Sequence, residues 1–154
     1  MELRPLRAAA IWPLTDLPAR LAPLQSRLPL LAACVPAGRP VPLDGDVECL
    51  ASLDEVAGTH PERTFLLPVE GDSMVDAYIH DGDTLVVDRS RQPADGDIVV
   101  ASLDGDLTVK RLRLRNGLAF LLPENPDYPP VHVDEFSDLT VWGVVTHVLH
   151  DVRR

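Results

Sequence analysis

At 154 residues, 45% hydrophobic and 25% charged, the chain has the composition of one globular domain with room for a sizeable core. A formal net charge of -10 excludes a grip on duplex DNA through a large basic face, because such binding is driven by phosphate neutralisation. Fifteen prolines and 5% aromatic residues point to turns and extended segments and away from a helical bundle.

The first stretch, to about residue 37, carries Pro5, Pro13, Pro18, Pro23, Pro29 and Pro36, too closely spaced for a long helix. It holds Arg4, Arg7, Arg20 and Arg27 against Glu2 and Asp16, so it is slightly basic ahead of an acidic remainder. It reads as a loosely ordered arm whose Ile11, Trp12 and Leu14 could dock on a body, and it is too broken for a helix-turn-helix module. The apolar run Leu28 to Val35 is too short to span a bilayer, and no signal-peptide pattern precedes it. Cys34 and Cys49 lack metal spacing and make no disulfide framework, which implies a reduced, cytoplasmic setting.

Residues 35 to 45 form an extended segment with small side chains at Ala37 and Gly38. Its plain reading is a linker, but a small-residue strand is also what a protease site binds. Leu50, Leu53 and Val56 fall at helical spacing and predict a short helix over Cys49 to Val56. From Thr64 the pattern is β. Strands are expected at Thr64–Val69, Thr84–Asp88, Asp97–Leu103, Leu107–Arg115, Leu118–Leu122, Pro130–Val133 and Leu139–Leu149. Asp81-Gly82-Asp83 and Asp95-Gly96-Asp97 mark turns, and Asp104-Gly105 and Asn116-Gly117 are two-residue hairpin signals. One helical turn is expected within Met74 to Ile79.

Two residues stand out chemically. Lys110 is the lone lysine among fourteen Lys and Arg residues. Arginine stays protonated in proteins, whereas a desolvated lysine can lose its proton and act as a base. Strand alternation puts Lys110 with Leu112 and Leu114 on the core-facing side, and Arg111, Arg113 and Arg115 on the wet side. The plain alternative is a lysine that snorkels from a strand edge. Ser73 follows a glycine at the exit of a strand and begins the expected helical turn. Such a serine is usually a cap, but the same place presents backbone N–H groups that could hold an oxyanion, with the Ser73 amide as the candidate donor. Together they suggest a Ser–Lys dyad. Among His60, His80, His132, His147 and His150 no Ser/His/Asp pattern emerges. His147 and His150 do not share a face and lack companion ligands, so neither metal nor cofactor is expected.

Gly71-Asp72-Ser73-Met74, His80-Asp81-Gly82-Asp83, Asp95-Gly96-Asp97-Ile98-Val99 and Thr108-Val109-Lys110 resemble motifs of the LexA/UmuD family of self-cleaving SOS-response proteins. The resemblance runs over roughly residues 35 to 150 and includes the terminal Val141-Trp142-Gly143-Val144-Val145. The 37-residue step from Ser73 to Lys110 is similar to the family's nucleophile-to-base spacing.

The resemblance implies a mostly β peptidase domain of twisted antiparallel sheets over residues 38–154, with Ser73 as nucleophile and neutral Lys110 as general base. It also implies that the substrate is the protein's own chain. Val35-Pro36-Ala37-Gly38-Arg39-Pro40 resembles the cleavage segment, and Gly38 lies 35 positions before Ser73, so the scissile bond is placed at Ala37–Gly38. Cutting there removes an arm of residues 1–37. Cys34–Val35 is the weaker alternative, and Pro36 departs from the family's pattern.

LexA-like repressors carry a DNA-binding domain ahead of the cleavage segment, and UmuD-like proteins a short arm, which is what this chain has. By resemblance it is then a homodimeric accessory subunit of an error-prone, lesion-bypass DNA polymerase. Its cleavage is stimulated by the RecA filament on single-stranded DNA, and no sequence-specific DNA contact or membrane is involved. A headless repressor-type regulator and a non-catalytic binding module on the same fold are the alternatives. A signal peptidase, which also uses Ser and Lys, is disfavoured by the lack of an anchor.

Overall fold

The computed structural model describes residues 27–31, 47–133 and 136–153. These fall into two units, one within residues 15–60 and one from residue 61 onward.

In the first unit, β1 (Leu28–Leu31) pairs antiparallel with β2 (Val47–Ala51), and a short helix α1 (Leu53–Ala57) follows. The helix expected over Cys49 to Val56 is therefore corrected at its start: Cys49, Leu50 and Ala51 belong to a strand. The cause is Ser52, which caps the helix. Its hydroxyl accepts from the Glu55 N–H, and the Glu55 carboxylate accepts in return from the Ser52 N–H at 2.8 Å. That reciprocal pair fixes the helix start at Leu53, four residues after the apolar spacing had suggested it. Arg27 joins the same corner through an ion pair with Glu55. The bond from the Ser52 N–H, aided by the Arg27 charge, holds the Glu55 carboxyl below its usual range.

The second unit is a seven-stranded antiparallel sheet. Its strands are β3 (Thr64–Pro68), β4 (Thr84–Asp88), β5 (Ile98–Leu103), β6 (Asp106–Arg115), β7 (Leu118–Leu122), β8 (Val131–His132) and β9 (Leu139–Leu149). They lie in the order β3-β4-β9-β5-β6-β7-β8, so the final strand threads between β4 and β5. The expected strands all form, with ends moved by a residue or two. Val69, for instance, leaves the ladder to close a loop through its N–H to the Asp83 carbonyl at 2.8 Å. Both hairpin signals turn as the residue types dictate. Asp104 and Gly105, and Asn116 and Gly117, all take positive φ.

Both faces of the sheet carry core. Val99, Ala101, Leu112, Leu121, Val141 and Val144 pack on one side. Leu85, Val87 and Val100 pack on the other with Met74 and Ile79, which come from the loop between β3 and β4. β5 contributes to both clusters, which explains its unbroken apolar run Ile98-Val99-Val100-Ala101. The Met74 and Ile79 side chains, each 1% exposed, are anchors that pin the β3–β4 loop down.

Candidate active site

Ser73 sits in the loop that leaves β3 after Pro68 and returns at Thr84. Two backbone bonds close its neck: Val69 N–H to the Asp83 carbonyl and Gly82 N–H to the Val69 carbonyl, both 2.8 Å. Gly71, with φ +92°, makes the sharp bend, and its N–H donates to the Asp81 carboxylate. A single 3₁₀ turn, Val75–Ala77, follows, within the stretch where one helical turn was expected. With Met74 and Ile79 buried on either side of that turn, the Ser73 hydroxyl is left at the rim, half-buried.

A second segment, after β7, braces the loop from outside. The Glu124 N–H donates to the Ser73 carbonyl at 2.9 Å, and the Asp76 N–H donates to the Glu124 carbonyl at 2.8 Å. Asn125, itself buried, donates its side-chain N–H to the Asp72 carbonyl at 2.9 Å. The Tyr128 hydroxyl donates to the Asp72 carboxylate, and that bond to a negative acceptor raises the phenol above its ordinary pKa. Glu124 is in turn ion-paired to Arg111, whose guanidinium also donates to the Gly96 carbonyl at 2.7 Å.

Lys110 reaches Ser73 from β6. Its Nζ lies 2.9 Å from Ser73 Oγ, 3.2 Å from Thr108 Oγ1 and 2.9 Å from the Val109 carbonyl. Lys110 is 9% exposed, and burial lowers its pKa because the ammonium form loses hydration. A neutral amine has two N–H donors and one lone pair. Thr108 Oγ1 and the Val109 carbonyl accept the two donors, and the lone pair can then accept the Ser73 O–H. The surroundings thus suit the base form of this lysine and aim it at one hydroxyl.

The alternation read from β6 holds in its middle and fails at its end. Lys110 and Leu112 are buried, but Leu114 is 38% exposed, because β6 runs out past the core toward the Asn116-Gly117 turn. The arginine side is not simply wet either. Arg111 is half-buried in its pair with Glu124, and Arg113 is ion-paired with Asp95.

The Ser73 amide was expected as an oxyanion donor. In the turn beyond it, the N–H groups of Val75, Asp76 and Ala77 are already given to Asp72, Glu124 and Met74 carbonyls. Ala37 and Gly38, like the Cys34–Val35 alternative, lie outside the described residues. The histidine expectation needs correcting. His147 contacts Thr146, but His150 does have companions, in Asp83 and His80. The expectation failed because the partners of His150 lie about seventy residues away along the chain.

Thr108, part of the Thr108-Val109-Lys110 motif, takes a role in the site that the motif alone did not assign. The signal was available, since i and i+2 on a strand share a face. Asn125 and Tyr128 left only the turn mark of Asn125-Pro126, with nothing to point at Asp72. Asn125→Ala is expected to loosen the Ser73 loop and to slow any reaction at Ser73 by about tenfold, in line with the cost of a buried hydrogen bond. Backbone amide exchange of residues 72–76 should quicken in step, which checks that the loop is what moved.

The family model described as Peptidase S24-like matches residues 29–146. The chain is 42% identical to Protein SamA of Salmonella typhimurium over 131 residues, covering 85% of this chain and 91% of that protein. It is 43% identical to Protein MucA of Escherichia coli over 123 residues, covering 79% of this chain and 84% of that protein. To a LexA repressor of a Shewanella strain it is 40% identical over 128 residues, which are 82% of this chain and 61% of the repressor.

Proposed function

Given that the chain belongs to the S24 peptidase family, as a UmuD-like member of the LexA/UmuD group, we propose that it is a serine endopeptidase that cleaves itself between Ala37 and Gly38. The observation that carries this reading is the 2.9 Å contact between a buried, pKa-depressed lysine and a serine hydroxyl on a braced loop.

In the proposed reaction neutral Lys110 takes the Ser73 proton as Oγ attacks the Ala37 carbonyl carbon. The Ser73 amide donates to the oxyanion of the tetrahedral intermediate. The Lys110 ammonium then protonates the Gly38 nitrogen as the C–N bond breaks, leaving Ala37 as an ester on Ser73. Water, deprotonated by Lys110, hydrolyses that ester and restores the hydroxyl. Residues 1–37 depart and residues 38–154 remain as the processed form.

The proposed setting is the SOS response, with the processed homodimer serving as accessory subunit of an error-prone translesion polymerase. The reading is of a cytoplasmic protein. Among the described residues no helix is long and apolar enough to cross a membrane. Adding RecA with nucleotide and single-stranded DNA at neutral pH should speed formation of a fragment whose N-terminal residue is Gly38. Edman sequencing or peptide mapping reads the new terminus. A terminus at Val35 would move the scissile bond to the alternative, and no response to the filament would assign the stimulus to another regulator.

A further inference from the structure

A second cluster of reactive side chains lies outside the Ser73–Lys110 pair, and the strand register builds it. β4 and β9 pair so that Thr84 faces Leu149, which places the residues just beyond them, Asp83 and His150, next to one another. The turn His80-Asp81-Gly82-Asp83 folds back on itself, with the Asp83 N–H on the His80 carbonyl at 3.1 Å, and carries His80 to the same point. Asp83 is fully buried, while both imidazoles are about half exposed. A carboxylate at the bottom of a site whose walls are two imidazoles is a donor set suited to a borderline transition ion.

The distances fit. His150 Nδ1 is 2.7 Å from Asp83 Oδ1, and His80 Nδ1 is 3.7 Å from Asp83 Oδ2. One ligating atom from each of the three residues can be chosen so that all lie within 4.8 Å of one another. The two rings stand 5.4 Å apart, centroid to centroid, and are tilted by 50°. A tetrahedral ion with bonds of about 2.0–2.1 Å holds its ligand atoms roughly 3.3 Å apart. The two His–Asp separations, 2.7 Å to Oδ1 and 3.7 Å to Oδ2, lie on either side of that value, and both rings are about half exposed. Asp83 is held in place by the His80 N–H, which donates to Oδ2 at 2.8 Å. Hard ions such as Mg²⁺ and Ca²⁺ favour all-oxygen sites and suit this set poorly.

We propose that His80, Asp83 and His150 bind one divalent transition ion of the zinc class, with solvent completing its coordination. The ion would join the end of β9 to the loop that carries Ser73, because His80 and Asp83 stand on that loop's return limb. Its effect would be to stiffen the return limb of the loop, whose outgoing limb Asn125 holds at Asp72.

The test uses the full chain carrying Ser73→Ala, so that self-cleavage does not change the sample during titration. Calorimetry with Zn²⁺ should give one ion per chain, and Co²⁺ should develop the visible absorption of a four-coordinate site. His80→Ala and His150→Ala should each weaken binding by more than the roughly 10–100-fold that loss of an outer-shell partner costs. His147→Ala, three residues from His150, should leave binding unchanged. His150→Gln keeps a hydrogen-bond donor for Asp83 without a ring nitrogen, so it tests the ligand even if His150→Ala folds poorly. Zn²⁺ should also raise the melting temperature of the parent and not of the His80→Ala, His150→Gln double variant. Failure of the parent to take up an ion at micromolar concentration would overturn the proposal, leaving the His150–Asp83 contact as a plain hydrogen bond. Uptake that survives the double variant would overturn it equally, by placing the ion elsewhere.

Discussion

Lys110→Arg is expected to lower the self-cleavage rate by about 10²–10⁴-fold, the range that general acid–base catalysis contributes. The substitution keeps a cation and a long stem but removes the lone pair, since a guanidinium does not give up its proton in proteins. The pH profile separates loss of the base from loss of shape. In the wild type the rate should rise by about tenfold per pH unit until the lowered Lys110 pKa is passed, and then level off. In Lys110→Arg that plateau should disappear. A profile unchanged in form would assign the base elsewhere.

The same residue has a cost in stability, and its sign follows from the direction of the shift. Lys110 has a lower pKa folded than unfolded, so between the two values the unfolded chain binds more protons. The cost is absent above the unfolded value, grows as pH falls through the window, and is complete below the folded value. Lys110→Met, which removes the charge and fills the space, should therefore be inactive yet melt no lower than the wild type at neutral pH. Urea or thermal melts across pH would show the gap closing as pH rises.

The second large effect is structural. Gly143→Val should destabilise the protein by about 3 kcal/mol or more, the upper part of the range for overpacking a core. A Cβ at Gly143 would lie 2.7 Å from Val87 Cγ1 and 2.8 Å from the Asp88 carbonyl oxygen. The side chain could give way, but the β4 backbone cannot do so without breaking its pairing with β9. The site lies beside a register irregularity, where Val100 faces Gly143 and Ala101 faces Val141, so Trp142 is left over between them. Gly143→Ala should show a smaller loss of the same sign. Chemical denaturation of both variants in a Ser73→Ala background checks the order.

Gly143 shows what could and could not be read from the chain. A glycine inside a strand signals a bulge or a close backbone approach. Which backbone approaches depends on β9 lying between β4 and β5, a non-local order that local pattern does not encode. Strand positions came from alternation and turn residues, which are local. The Asp104-Gly105 and Asn116-Gly117 hairpins came from residue types that tolerate positive φ. Lys110 was legible because one lysine among arginines on the core side of a strand is a chemical oddity within a few residues.

Elements that needed a distant partner were missed or misplaced. The Asn125 and Tyr128 brace acts on Asp72 more than fifty residues away. His150 looked isolated until the β4–β9 register placed Asp83 beside it. The late start of the helix expected over Cys49 to Val56 is a different case, because its signal is local: the Ser52–Glu55 capping box sets the boundary against the apolar spacing.

The dyad is tested most directly by intact-mass analysis of the purified full chain and its Ser73→Ala variant after incubation at alkaline pH. The wild type should lose residues 1–37 and yield the mass of residues 38–154, while Ser73→Ala keeps its full mass under the same conditions. The same fragment appearing from Ser73→Ala at a comparable rate would contradict Ser73 as the nucleophile.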